Sequence, residues 1–220
     1  MKLFKIKYVG SVMKIYQIFN NIDISIFQLS LDIIKEYTNE TLDGLHLNMR
    51  HNNWDLNKLL NHIQKTGEKI EFLEAYSSKP SSKMLENSSS ISYGVYETLN
   101  KKGHFVEVSL NINNYIIKKE DVINIINRYL KIMDIDYGYV FYLKEKQNWI
   151  IENNLKTSLF SVTSTIPKGY YEEREKLLEI NNGFIPKIYK YNILNNAQIK
   201  LLNKPNLCKI NDKLSLNEDE

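Results

Sequence analysis

The stretch from residue 91 to residue 143 constrains the fold most, because its apolar pattern changes period twice. Residues 91–98 and 104–112 are rich in β-branched and aromatic residues, and the Asn-Lys-Lys-Gly connection between them is typical of a β-hairpin. An apolar stripe at helical spacing follows, formed by Val122, Ile125, Ile126, Tyr129, Leu130 and Met133. The aromatic run 137–143 then reads as another strand. This order predicts an α+β fold, with an antiparallel or mixed β-sheet and helices packed on it.

The rest of the chain adds elements of the same kinds. The apolar positions Leu56, Leu59, Leu60 and Ile63 have the spacing of an amphipathic helix, which we expect to end near Gly67. Further strands are predicted at 4–8, 12–19, 45–49, 70–76, 159–163 and 184–194. Further helices are predicted after Asp23, at 170–180 and after Asn195 or Asn196.

The serine-rich segment 77–90 is predicted to be a loop. Such a segment is either a linker between domains or an excursion within one domain. Its short length favours the excursion. Residues 1–216 are therefore predicted to form a single domain, followed by an acidic tail at 217–220.

Charge and cysteine content restrict the classes of function. A formal charge of +3 and a pI of 8.6 lack the basic excess of a dedicated nucleic-acid protein, so a nucleic-acid partner is disfavoured. The single cysteine, Cys208, cannot form an internal disulfide or a zinc site by itself.

No window has the length of a membrane span, and Lys5, Lys7 and Lys14 interrupt any apolar signal segment. We expect a cytoplasmic protein without a membrane partner.

The histidines do not fit a catalytic pattern. His46, His51 and His62 with Asn53 resemble the pattern of metal-dependent nucleases of the His-Asn-His type. Those enzymes also need a histidine pair well upstream of the Asn, and no histidine precedes His46. A two-histidine phosphoesterase built on His46 and His104 would need a hydroxyl two residues after each, which is absent. Clustered glycines for a phosphate cradle are also lacking. We therefore expect no catalytic residue, no cofactor site and no metal site, and a protein that is not an enzyme.

The run from Tyr137 to Tyr142 is similar to the aromatic strand of RNA-recognition domains. Two features depart from that pattern. Ile135 and Asp136 replace the leading basic residue and glycine, and the run follows a helix rather than a strand. Alternating aromatic residues on a half-buried strand more often pack against neighbouring strands. RNA binding is kept as an alternative function, in the form of an RNA-binding or anti-CRISPR-like defence-evasion protein acting on a nucleoprotein target.

The order of segments over residues 91–202 resembles the immunity proteins of bacterial polymorphic-toxin and type VI secretion systems. The resemblance rests on the hairpin, the helix from Val122, the strand at 136–140 and the late run at 183–194, which reads GFIPKIYKYNIL. It implies a non-enzymatic inhibitor that binds one cognate toxin and blocks its active site or its assembly. It implies no catalytic residues.

The partner-binding residues expected on this basis are aromatic, because tyrosine and tryptophan anchor interfaces well. They are Trp149, Tyr170, Tyr171, Tyr189 and Tyr191. Alternation within 184–194 places Tyr189, Tyr191 and Ile193 on one face of a strand, and a core role for these tyrosines is the alternative. The slight positive charge indicates a partner whose contact face is acidic or neutral. The sequence leaves a homodimer open.

Overall fold

A computed structural model describes residues 8–18, 23–48, 50–52, 55–77, 89–97, 103–144, 155–157, 162–164, 175–186 and 188–202. The strands are β1 (Tyr8–Ile18), β2 (Gly44–Leu47), β3 (Arg50–Asn52), β4 (Phe72–Tyr76), β5 (Ser90–Glu97), β6 (His104–Asn113), β7 (Tyr137–Lys144), β8 (Leu155–Thr157), β9 (Val162–Ser164) and β10 (Tyr191–Leu194). The helices are α1 (Ile24–Thr38), α2 (Leu56–Thr66), α3 (Lys119–Tyr129) and α4 (Asn196–Leu201), with a 3-10 helix at Lys176–Asn182.

Eight strands form one sheet in the order β10-β7-β1-β6-β5-β4-β2-β3, and every neighbouring pair is antiparallel. β8 and β9 pair with each other in a separate two-stranded sheet. The predicted α+β class is confirmed. The prediction allowed an antiparallel or a mixed sheet, and the sheet is antiparallel. Strands from the start and the end of the chain share one sheet, as expected of a single domain.

The sheet has two different faces, because side chains alternate along each strand. On the helix face, Met13, Ile15, Val108 and Val140 belong to a core that also takes in the apolar sides of α1 and α3. The opposite side, here called the aromatic face, carries a second core. Its buried members include Tyr16, Phe105, Tyr137, Tyr139 and Phe141 from the sheet, with Leu177 and Ile180 from the 3-10 helix.

The helix boundaries follow from local chemistry. Asp23 caps α1 by accepting a hydrogen bond from the Ser25 backbone N–H, and Asp55 caps α2 by accepting from the Lys58 N–H. α2 ends at Gly67, whose φ of 63° lies in the left-handed region. At α4, the Asn195 side chain accepts from the Gln198 N–H, so Asn195 is the cap. The predicted starts at Asp23 and Asn195 and the predicted end at Gly67 are confirmed.

Other boundaries differ from the prediction. Of the two expected opening strands, the first lies outside the described residues except for Tyr8, which belongs to β1 together with most of the second. The expected strand 184–194 is only β10, because Gly183 has a φ of 93° and Pro186 offers no backbone N–H to a neighbouring strand. A Cβ at Gly183 would also collide with Leu201. The chain between Gly183 and β10 therefore crosses the aromatic face as an irregular segment.

Most of the serine-rich segment and the whole acidic tail lie outside the described residues. Among the helices that are described, none combines the length and the apolar character needed to cross a membrane.

Candidate protein-binding surface

The aromatic run in β7 lies on one face of the sheet, as its alternation predicts. Tyr137, Tyr139 and Phe141 are buried in the core of the aromatic face. Tyr16 from the neighbouring strand contacts two of these rings, with centroid distances of 5.9 Å to Tyr137 and 6.0 Å to Tyr139. Phe105 lies on the other side of Tyr16, at 5.9 Å. Offset and tilted rings at these distances stabilise one another beyond the burial of their area.

The ring of Tyr189 covers Tyr139. The two centroids are 3.9 Å apart and the ring planes make an angle of 6°. Tyr139 is only 6% exposed. A nucleobase stacked on this strand would need the position that the Tyr189 ring fills. The geometry therefore favours a packing role for the aromatic run over RNA binding.

Asn192 holds Tyr189 in this position. The Asn192 side-chain N–H donates to the Tyr189 carbonyl at 2.9 Å, and its side-chain oxygen accepts from the Tyr189 N–H at 3.3 Å. Asn192 is also the cross-strand partner of Tyr139. One side chain thus places the backbone of residue 189 directly beside the ring on which Tyr189 stacks.

Tyr189 and Tyr191 lie on opposite faces of the sheet. Tyr189 packs against the core of the aromatic face, whereas Tyr191 packs, partly buried, against the core of the helix face. The prediction that they share a face is wrong, because the backbone bends at Lys190 and β10 begins only at the next residue. A regular alternation cannot extend across that bend.

β10 fits closely against β7 because Gly138 has no side chain. A Cβ at Gly138 would come within 2.8 Å of Cδ1 of Ile193 and 2.9 Å of the Lys14 carbonyl oxygen. Ile193 is the cross-strand partner of Gly138 and packs over it. This close approach fixes the register that places Tyr191 beside β7.

Three tyrosines, Tyr8, Tyr142 and Tyr191, meet at this edge of the sheet and are here called the tyrosine cluster. The rings of Tyr8 and Tyr142 meet edge to face at a centroid distance of 5.4 Å. The Tyr142 hydroxyl donates to the Ile117 carbonyl at 3.0 Å. Burial, and next a side-chain hydrogen bond with Tyr191, raise the pKa of the Tyr142 hydroxyl well above its ordinary value.

The tyrosine cluster is only partly covered. Tyr8 is 42% exposed, Tyr142 and Tyr191 are half-buried, and the nearby Ile116 is 37% exposed. Its rings are held in place by contacts within the protein, so little side-chain entropy remains to be lost on binding. Sequence analysis missed Tyr8 and Tyr142, because their proximity to Tyr191 depends on pairing between β1, β7 and β10.

Basic residues are placed around the tyrosine cluster. Lys144 is the cross-strand partner of Tyr8, Lys190 precedes Tyr191, and Lys118 follows Ile117. The described side chains of all three lysines are exposed. These exposed lysines suit an acidic or neutral contact face.

Two of the histidines, His46 and His62, are held by nearby carboxylates. His46 Nδ1 lies 2.8 Å from Glu74 Oε2, and His62 Nε2 lies 2.8 Å from Glu68 Oε2. His46 and His104 stand on strands separated by β4 and β5, too far apart for a two-histidine site. Asn53 lies outside the described residues. In the described part of the chain, no three His, Cys, Asp or Glu side chains group in a way that could hold a metal ion.

A buried ion pair lies on the aromatic face beside the rings. Lys14 Nζ is 3.9 Å from Glu107 Oε1, and Ser109 Oγ donates to the same oxygen at 2.9 Å. All three side chains are almost fully buried. Sequence reasoning counted Lys14 only as a break in an apolar run, because its partner is set by the pairing of β1 with β6. Because both partners are buried, removing either one would leave an uncompensated charge in the core.

Trp149, Tyr170 and Tyr171 lie outside the described residues. Of the five predicted partner-binding residues, the structure therefore describes Tyr189 and Tyr191, and it places only Tyr191 in the tyrosine cluster. Comparison of the chain with protein families, with curated proteins and with solved structures finds no match.

Proposed function

We propose that this protein is a non-enzymatic inhibitor that binds a protein partner, in the manner of an immunity protein that neutralises a cognate bacterial toxin. The observation that supports the proposal most is the tyrosine cluster, where Tyr8, Tyr142 and Tyr191 form a fixed and partly exposed surface at the edge strand β10. Tyrosine is one of the residue types that dominate binding energy at protein interfaces.

The chemistry of the cluster suits recognition of a folded protein. Each ring contributes a large apolar area on few rotatable bonds, and each hydroxyl offers a hydrogen bond at the rim. Tyr142 is already anchored to the Ile117 carbonyl, so its ring is positioned before a partner arrives. Preorganised side chains lower the entropic cost of association.

The charge around the cluster indicates the partner's contact face. Lys144 pairs with Tyr8 across the strands, and Lys118 and Lys190 are exposed next to Ile117 and Tyr191 in the chain, so the proposed contact face of the toxin is acidic or neutral. A cytoplasmic location belongs to the proposal, since a toxin that acts inside the cell must be met there. The RNA-binding alternative has less support, because Tyr189 covers the ring of Tyr139 on which a base would stack.

The proposal is tested by co-expressing this chain in bacteria with each candidate toxin encoded by a gene adjacent to its own. We expect the wild-type chain to restore growth and Tyr191→Ala to lose most of that protection. Leu201→Ala is the control, because Leu201 is 60% exposed on α4. Equal protection by all three chains would show that the tyrosine cluster does not bind the toxin. A wild-type chain that gives no protection would show that the toxin tested is not its partner.

A further inference from the structure

The loop that joins β6 to α3, residues 114–118, is fixed to the sheet by a buried serine. Ser11 lies on β1 and is fully buried. Its hydroxyl donates a hydrogen bond to the Tyr115 carbonyl at 3.0 Å and accepts one from the Ile117 N–H at 2.9 Å. One side chain thus supplies partners for two backbone groups that no neighbouring strand pairs with. Ser11 therefore holds the backbone on both sides of residue 116.

Tyr142 fixes the same loop from the neighbouring strand. Tyr142 is the cross-strand partner of Ser11, so the two side chains lie side by side on the helix face. The Tyr142 hydroxyl donates to the Ile117 carbonyl at 3.0 Å. At the start of the loop, the Asn114 N–H donates to the Val9 carbonyl at 2.8 Å. The loop is therefore bonded to both β1 and β7.

These bonds turn two side chains of the loop inward and leave one outward. Ile117 is fully buried in the core of the helix face. The Tyr115 ring packs edge to face against the Tyr37 ring at a centroid distance of 5.1 Å. Ile116, between them in the chain, is exposed. Because the residue that follows it is bonded to Tyr142, Ile116 extends the surface of the tyrosine cluster.

We propose that Ser11 is a positioning residue for partner binding, which fixes Ile116 beside the tyrosine cluster. This inference rests on the proposed function, and the partner is the same protein toxin. Its acidic or neutral contact face takes the Ile116 side chain in an apolar recess, and the exposed Lys118 of the loop suits that face. A side chain on a fixed loop loses less entropy on binding than one on a mobile loop. Ser11 is fully buried and acts only through the loop.

Amide hydrogen exchange tests the fixing of the loop without a partner. Ser11→Ala should speed exchange of the Ile117 amide by about tenfold or more, because that N–H loses its acceptor. The Asn114 amide is the internal control, since its acceptor is the Val9 carbonyl and its rate should stay the same. An unchanged rate at Ile117 in a folded Ser11→Ala variant would overturn the proposal.

Titration calorimetry tests the contribution to binding. The probe is the purified toxin, encoded by a gene adjacent to that of this chain, that the wild type neutralises on co-expression. Ile116→Ala should weaken its binding by about tenfold or more, and Ser11→Ala by about three- to tenfold. Ile199→Ala is the matched control, because Ile199 is 54% exposed on α4 and this variant should bind as the wild type does.

The double variant Ser11→Ala/Ile116→Ala separates positioning from a general effect on stability. If Ser11 acts through Ile116, the double variant should bind no more than about twofold more weakly than Ile116→Ala alone. Losses that multiply in the double variant would overturn the positioning role.

The same titrations distinguish this inference from the proposed function. If Tyr191→Ala weakens binding but Ser11→Ala and Ile116→Ala do not, this inference is wrong and the proposed function stands. If the wild type binds none of the toxins encoded by adjacent genes, both are wrong.

Discussion

Tyr189 stacks in parallel on Tyr139, with ring centroids 3.9 Å apart and an interplanar angle of 6°. The contact joins the irregular segment before β10 to the centre of the aromatic face. It favours a packing role for the aromatic run of β7, since Tyr189 covers the ring of Tyr139. The proposed binding function therefore rests on the other side of the sheet, where Tyr191 meets Tyr142.

Tyr189→Ala should lower the free energy of unfolding by about 2–4 kcal/mol, because it removes a half-buried ring and the stacking contact that this ring makes with Tyr139. Urea denaturation measures the change. Ile188→Ala is the neighbouring control, because Ile188 is 43% exposed and should cost less than about 1 kcal/mol. Similar losses in the two variants would show that the stack does not order this segment.

Asn192→Ala should destabilise the fold by about 1–2 kcal/mol, because both backbone groups of Tyr189 lose a hydrogen-bond partner. Asn196→Ala, at the exposed start of α4, should be nearly neutral. Thermal melts of both variants distinguish them. Hydrogen exchange at the Tyr189 amide should also accelerate in Asn192→Ala, and an unchanged rate would contradict the role given to Asn192.

Lys14→Met should cost about 3–5 kcal/mol, because it leaves the buried Glu107 carboxylate without this cation. Replacing both residues, as Lys14→Met/Glu107→Leu, should cost clearly less than the sum of the two single changes. Denaturant unfolding of the four chains gives the coupling energy. A coupling below about 0.5 kcal/mol would mean that the pair does not act as a unit.

Stability should fall as the pH rises from about 10 to about 12, because burial raises the pKa of Tyr93 from 10.0 to about 12. Below pH 10 the hydroxyl is protonated in both the folded and the unfolded chain, so Tyr93 adds no pH dependence there. Between the two pKa values the unfolded chain loses its proton first, and the folded state is destabilised. Tyr93→Phe should show a smaller fall between pH 9.5 and pH 11.5, as measured by urea unfolding, and an identical fall would contradict this cause.

Local signals in the sequence were enough to predict many elements. Asp23 and Asn195 act as helix caps, and Gly67 ends α2 at positive φ, because each effect depends on a few neighbouring residues. The β5–β6 hairpin is also correct, and its ends pair Glu97 with His104. These features need no knowledge of distant contacts.

The candidate site could be predicted only in part, because it depends on contacts between distant segments. Tyr8, Tyr142 and Tyr191 come together through two strand pairings that the pattern of one segment cannot reveal. Tyr189 leaves the expected face because Asn192 and Tyr139 hold it on the other. The apolar pattern of the sequence predicts where most helices and strands lie. Which aromatic rings come into contact depends on the pairing of distant strands.

The central claim is tested most directly by calorimetric titration of the cognate toxin into purified wild type and Tyr191→Ala. We expect Tyr191→Ala to weaken binding by about 2 kcal/mol or more, which is about 30-fold in the dissociation constant. Leu201→Ala should bind as the wild type does, and circular dichroism should show both variants folded. Unchanged affinity of a folded Tyr191→Ala variant would contradict the claim that the tyrosine cluster binds the partner.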